Sequence, residues 1–153
     1  MTKWKLCILL PICMLLAGAP KAFAAFQSVH FTPSQLANPA ISGAAADPDH
    51  DGISNLLEYA LVLDPWQPNT ATLQPRLENG HLTLTYTRRK LAADLSYAIE
   101  VSTNLASWDT SGTQLDQAVV SEDAVAQTIK VTDKSAAAST GARFFRLRLA
   151  FLP

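Results

Sequence analysis

The apolar residues change their spacing at Leu73. Downstream of it they alternate, and a two-residue period commits a segment to a strand with one buried face. From His81 to Arg88 the alternation is clean and sets Leu82, Leu84 and Tyr86 on one side. Asn79-Gly80, just ahead, is a two-residue hairpin signal, because such turns need positive φ at both positions. It pairs this strand with 73–78. Further strands are expected over 97–103, with Tyr97, Ile99 and Val101 inward, and over 144–149, with Phe145, Leu147 and Leu149 inward. Segments 113–120 and 125–131 read as a hairpin around Glu122-Asp123. No helical pattern lies between these strands, which argues against a parallel sheet. About six or seven short strands predict a mainly β chain built as an antiparallel β-sandwich, with a small open barrel as the alternative.

Upstream of the strands, Asp47 to Glu58 reads as a calcium-binding loop. Oxygen side chains stand at the first, third, fifth, ninth and twelfth positions and a glycine at the sixth. Calcium takes oxygen ligands, and alternate residues of a tight loop can aim theirs inward. Asp47, Asp49 and Asp51 would each give a carboxylate oxygen, Ile53 its backbone carbonyl, Asn55 a direct or water-mediated oxygen, and Glu58 both of its oxygens. Gly52 suits the sharp turn, because glycine accepts positive φ at no steric cost. Four carboxylates within twelve residues repel one another unless a cation is present. An acidic surface turn is the alternative reading. The loop feeds one short helix over 54–63, with Leu56, Leu57, Ala60 and Leu61 as its apolar stripe and Asn55 and Glu58 at capping-box spacing. Asp64-Pro65 should end it, since the residue before proline resists the helical conformation. Segment 25–46 is rich in alanine, proline and serine, with a helical turn possible near 33–37.

Segment 1–24 reads as a secretory signal peptide. Lys3 and Lys5 precede an apolar run, and Ala22-Phe23-Ala24 offers small residues for cleavage after Ala24, with Ala25 as a second choice. A retained membrane anchor is the alternative. Both cysteines, Cys7 and Cys13, fall inside it, so the mature chain would hold no disulfide. Cleavage would remove 3 of the 12 basic residues and leave 9 against 13 acidic ones, net −4. That balance is no footprint for nucleic acid or an anionic membrane. The chain thus divides into a leader (1–24), a lead-in with loop and helix (25–65), and the strand region (66–153).

Several stretches together carry a resemblance: Phe31-Thr32-Pro33-Ser34-Gln35-Leu36, then the run from Ala46 through the loop to Leu61, then Asp64-Pro65, the segment from Tyr97 to Trp108, and that from Arg143 to Leu149. They resemble a module of secreted bacterial proteins in which a thrombospondin type 3-like, EF-hand-like loop precedes a fibronectin- or immunoglobulin-like β-sandwich. The resemblance implies calcium at Asp47, Asp49, Asp51, Ile53, Asn55 and Glu58 and an extracellular or cell-surface location. It implies no particular activity. His50 stands where such loops often have glycine.

No catalytic pattern stands out. His30, His50 and His81 are scattered, and neither a zinc-protease helix nor a nucleophile elbow occurs. Asp94 and Glu100 would be the acid–base pair of a small hydrolase, with His81 as a further base. Arg88-Arg89-Lys90 is a charge run, solvated or in contact with an anionic glycan. Trp108 suits core packing. Trp66, between Pro65 and Pro68, could stack on a sugar ring, and Arg146 and Arg148 share the outer face of the last strand. The expected function is a non-catalytic, calcium-stabilised binding or structural module with a protein or glycan partner; a carbohydrate-binding accessory module is the alternative.

Overall fold

The computed structural model describes residues 21–69, 73–90, 92–137 and 142–152. Most of the expected leader therefore lies outside the described residues, and only 21–24 of it are seen. The chain is mainly β. Among the described residues, six antiparallel strands follow four short helices: α1 (Lys21–His30), α2 (Pro33–Leu36), α3 (Pro39–Ser42), α4 (Asn55–Leu61), β1 (Leu73–Glu78), β2 (His81–Arg89), β3 (Leu95–Ser102), β4 (Leu115–Glu122), β5 (Ala126–Ala136) and β6 (Phe144–Phe151).

The strands form a four-stranded sheet in the order β1-β2-β5-β4 and a two-stranded sheet of β3 with β6. The β1–β2 hairpin turns at Asn79 and Gly80, both with positive φ as a two-residue turn demands. In the β4–β5 turn the Asp123 carboxylate accepts the Val125 and Ala126 N–H groups, each at 2.7 Å. One apolar core joins the two sheets: Leu82, Leu84, Tyr86, Ile129 and Val131 from the larger, Ile99, Val101, Phe145, Leu147 and Leu149 from the smaller. Tyr97 sits at its margin, partly buried.

The helices number four among the described residues, where one was expected. α2 is closed by a capping box of Thr32 and Gln35, and α3 opens on Asn38, whose side chain accepts the Ala40 N–H. Prolines at Pro33 and Pro39 start both helices, where a missing N–H costs nothing. α1 is not among the expected helices: its residues 21–24 fall in the expected leader and 25–30 in the lead-in. It buries Phe23 and Phe26, one helical turn apart.

α4 is shorter than expected and is buried on every side. It stops at Val62, which takes the left-handed conformation (φ 62°, ψ 47°), three residues before Pro65. The expected capping box does not form: Ser54 is the N-cap and makes no side-chain cap bond. Asn55 and Glu58 point into the protein instead. α4 is fastened to the strands through its backbone. The Tyr97 hydroxyl donates to the Ala60 carbonyl at 3.0 Å, and Arg89 Nε donates to the Tyr59 carbonyl at 3.0 Å.

Candidate metal centre

The segment from Asp47 to Glu58 is held shut by its own carboxylates. Gly52 N–H donates to Asp47 Oδ2 at 2.9 Å, Asp51 N–H to Asp49 Oδ1 at 3.2 Å, and Ile53 N–H to Asp51 Oδ1 at 2.7 Å. The other Asp51 oxygen accepts the Asn69 N–H at 2.6 Å and ties the loop to the chain beyond α4. Gly52 (φ 88°) and His50 (φ 61°) both occupy the left-handed region, and the His50 side chain is exposed. Backbone bonds from Asn55 N–H to the Ala46 carbonyl (2.8 Å) and from Leu56 N–H to the Ala44 carbonyl (3.0 Å) join the start of α4 to the approach of the loop.

These bonds leave a set of oxygens over. Asp47, Asp49 and Asp51 each offer a carboxylate oxygen within 4.8 Å of the others, a grouping that could hold a metal ion. Asp47 Oδ1 and Asp49 Oδ2 are buried and have no hydrogen-bond partner. Asn55 is fully buried; its amide nitrogen donates to the Ile41 and Gly43 carbonyls (2.8 and 2.9 Å), while its Oδ1 has no partner. Glu58 is 0% exposed, and neither of its oxygens has a partner. Buried polar atoms are almost always satisfied, so five orphan oxygens on four residues of one short segment require a cause.

Electrostatics agree with the geometry. Burial, then the charges of Asp49, Asp51, Asp47 and Asp64, push the Glu58 carboxyl up to about 8. Burial and the charges of Asp51 and Asp47 also raise Asp49, against a lowering bond from the Asp51 backbone. Such carboxyls are starved of positive charge, and a divalent cation would supply it. The donor set is all oxygen, which suits a hard cation such as calcium or magnesium more than a thiolate- or imidazole-seeking metal. The aspartate triad alone is unspecific and does not distinguish calcium. Ile53 packs against the core at the loop's far end.

The other sequence candidates fall elsewhere. Trp66 is 37% exposed; its indole N–H donates to the His30 carbonyl at 2.9 Å and its ring lies 5.6 Å from that of Phe31. Arg146 and Arg148 do not join it. Arg146 Nε donates to Glu100 Oε2 at 2.6 Å, and its guanidinium lies 4.2 Å from the centre of the Trp108 ring. Arg148, 49% exposed, reaches the other Glu100 oxygen at 3.8 Å. Trp108 is thus the aromatic companion of Arg146. The alternation had placed both on one face, but the register pairing Glu100 with Arg146 depends on which strand lies beside β6.

Asp94, Glu100 and His81 have no partner in common among the described residues. Asp94 accepts the Phe23 N–H (3.0 Å) and the Tyr59 hydroxyl (2.8 Å), Glu100 is matched to the two arginines, and His81 Nδ1 lies 2.8 Å from the Asp133 carbonyl oxygen. The charge run is absorbed as well: Arg88 lies over the Tyr97 ring, Arg89 over the Tyr59 ring, and Lys90 pairs with Glu122 at 3.0 Å. No described helix is long and apolar enough to cross a membrane.

Fold and site together define a mainly β protein with an oxygen-rich acidic loop at the start of a buried helix. Comparison with known proteins found no matching family model, no matching curated protein and no matching solved structure.

Proposed function

We propose that this chain is an exported, calcium-stabilised, non-catalytic binding or structural module of the extracellular or cell-surface space. Its two sheets would stack as the layers of a β-sandwich, a reading supported by the core they share. Calcium would be held by Asp47, Asp49, Asp51, Asn55 and Glu58, with the Ile53 carbonyl completing the set. The observation that carries this reading is Glu58: a wholly buried carboxylate with two unpartnered oxygens, in the field of three aspartates. Isolated buried charge is too costly to keep unless a proton or a cation neutralises it. When bound, the cation would cross-link the loop to the first turn of α4 and so hold that helix on the sheet.

Thermal unfolding in excess calcium and in chelator tests the proposal. A ligand that binds only the folded state stabilises it by mass action, about 2.7 kcal/mol at a hundredfold excess over Kd. A calcium-dependent rise in Tm that disappears in Asp51→Ala and Glu58→Ala is expected. Equal melting in calcium and chelator would sink the calcium reading.

A second reading, a carbohydrate-binding accessory module, is favoured by one observation: Trp108, Arg146 and Arg148 meet around Glu100. Retention on an insoluble polysaccharide that is lost in Trp108→Ala but kept in Trp66→Ala would support it. A protein partner is favoured if no polysaccharide retains the chain.

A further inference from the structure

Phe23 is 1% exposed, among the most deeply buried side chains described. Its ring packs 5.9 Å from Phe26, 5.5 Å from Tyr59 and 5.5 Å from Phe151, measured between ring centres. It therefore joins α1 to α4 and to the last strand. Its backbone is fixed too. The Phe23 N–H donates to Asp94 Oδ2 at 3.0 Å, and the other oxygen of that carboxylate takes the Tyr59 hydroxyl at 2.8 Å. Ala22, just before Phe23, packs against the same core.

Alanines 24 and 25, by contrast, are exposed. They offer a processing protease small residues, yet they sit inside the helix that carries Phe23. A cut after either one would remove Phe23. It would leave a ring-sized void lined by Phe26, Tyr59 and Phe151, and would strip the Asp94 carboxylate of one of its two donors.

We propose that the folded domain includes α1, so that any removal of the N-terminal segment stops before Phe23 and the peptide bonds after Ala24 and Ala25 stay intact in the functional protein. The inference is independent of calcium, because none of these contacts involves the acidic loop.

The test is made on the full chain, exported from a bacterial host. Intact mass and N-terminal sequencing should show Phe23 retained in every folded form, whether the chain is cut further upstream or left whole. Ala24→Leu changes an exposed helix position and should leave the N-terminus unaltered. A folded product starting at Ala25 or Phe26, or loss of processing in Ala24→Leu, would overturn the proposal. Phe23→Ala should lower Tm by about 10 °C, the size of shift expected for an aromatic deleted from a packed core. Should that variant fail to accumulate, Phe23→Leu should fold and melt a few degrees lower, about a third of the shift. An unchanged Tm in either variant also overturns the proposal.

Discussion

Glu58 concentrates the chemistry of this protein in one side chain. Helix α4 places it in the interior, and nothing among the described residues donates a hydrogen bond to it. Glu58→Gln removes the charge and nearly keeps the shape. In chelator at neutral pH this variant should be more stable than the parent, by on the order of 1–3 kcal/mol, because it no longer has to hold a proton that the unfolded chain would release. In calcium the order should reverse. Denaturant unfolding under the two conditions measures both, and a parent that stays ahead in chelator contradicts the account. The position of Glu58 was legible in the twelve-residue spacing, as were Asp47, Asp49, Asp51 and Asn55. That Asn55 would anchor its amide nitrogen on the Ile41 and Gly43 carbonyls and leave its oxygen over was not legible, because those carbonyls are presented by α3 and its C-cap, a helix with no apolar period to announce it.

Helix α4 shows how an element can be legible in kind and not in detail. Its apolar stripe was plain, yet its end is set by Val62 in a left-handed conformation that a β-branched residue enters only under strain. The Val62 N–H closes the helix onto the Glu58 carbonyl, and Leu63 N–H reaches the same oxygen at 2.9 Å. Glycine takes this conformation without penalty. Val62→Gly should therefore stabilise the protein by about 1 kcal/mol, the strain relieved outweighing the modest burial lost. Chemical denaturation would show it as a raised midpoint at unchanged slope; a lowered midpoint means that packing of the valine outweighs the strain. The strands were the more legible elements. Leu82, Leu84, Tyr86, Phe145, Leu147 and Leu149 all face the core as the alternation required. α1 was not legible, because its residues are shared between the expected leader (1–24) and the alanine-rich lead-in that follows.

On the scale of the whole molecule, a buried ion pair links the two sheets. Arg143, just before β6, donates through Nε and Nη2 to the Asp133 carboxylate of β5, and through Nη2 to Gln114 Oε1 at 2.5 Å, ahead of β4. Both charged residues are buried. Arg143→Ala leaves the Asp133 carboxylate buried without its guanidinium and should cost about 3–5 kcal/mol, read as a fall in denaturation midpoint. A change below 1 kcal/mol would mean that the sheets are held by the apolar core alone. The metal-free protein should also carry a pH signature. The folded state keeps the Glu58 proton up to about pH 8, whereas the unfolded chain releases it above the ordinary glutamate value of about 4.5. The contribution is complete below the lower value, and stability in chelator should fall as pH rises between the two. On the proposed calcium reading, calcium would take the place of the proton and flatten that slope. Glu78 and Glu122, which side-chain hydrogen bonds from Lys130 and Gln127 hold below the usual carboxylate range, act in the opposite sense and at lower pH, so the windows separate. A flat Tm between pH 5 and 8 in chelator would remove Glu58 as the cause. The sequence by itself determined the alternation, the turn at Asn79-Gly80 and the order of oxygens in the loop, because each is a property of near neighbours along the chain. Only the tertiary structure decided that the strands divide four and two, that Arg146 meets Glu100 and Trp108, and that Phe23 belongs to the core. Those facts depend on which distant segments share one buried space, and local spacing carries no record of that.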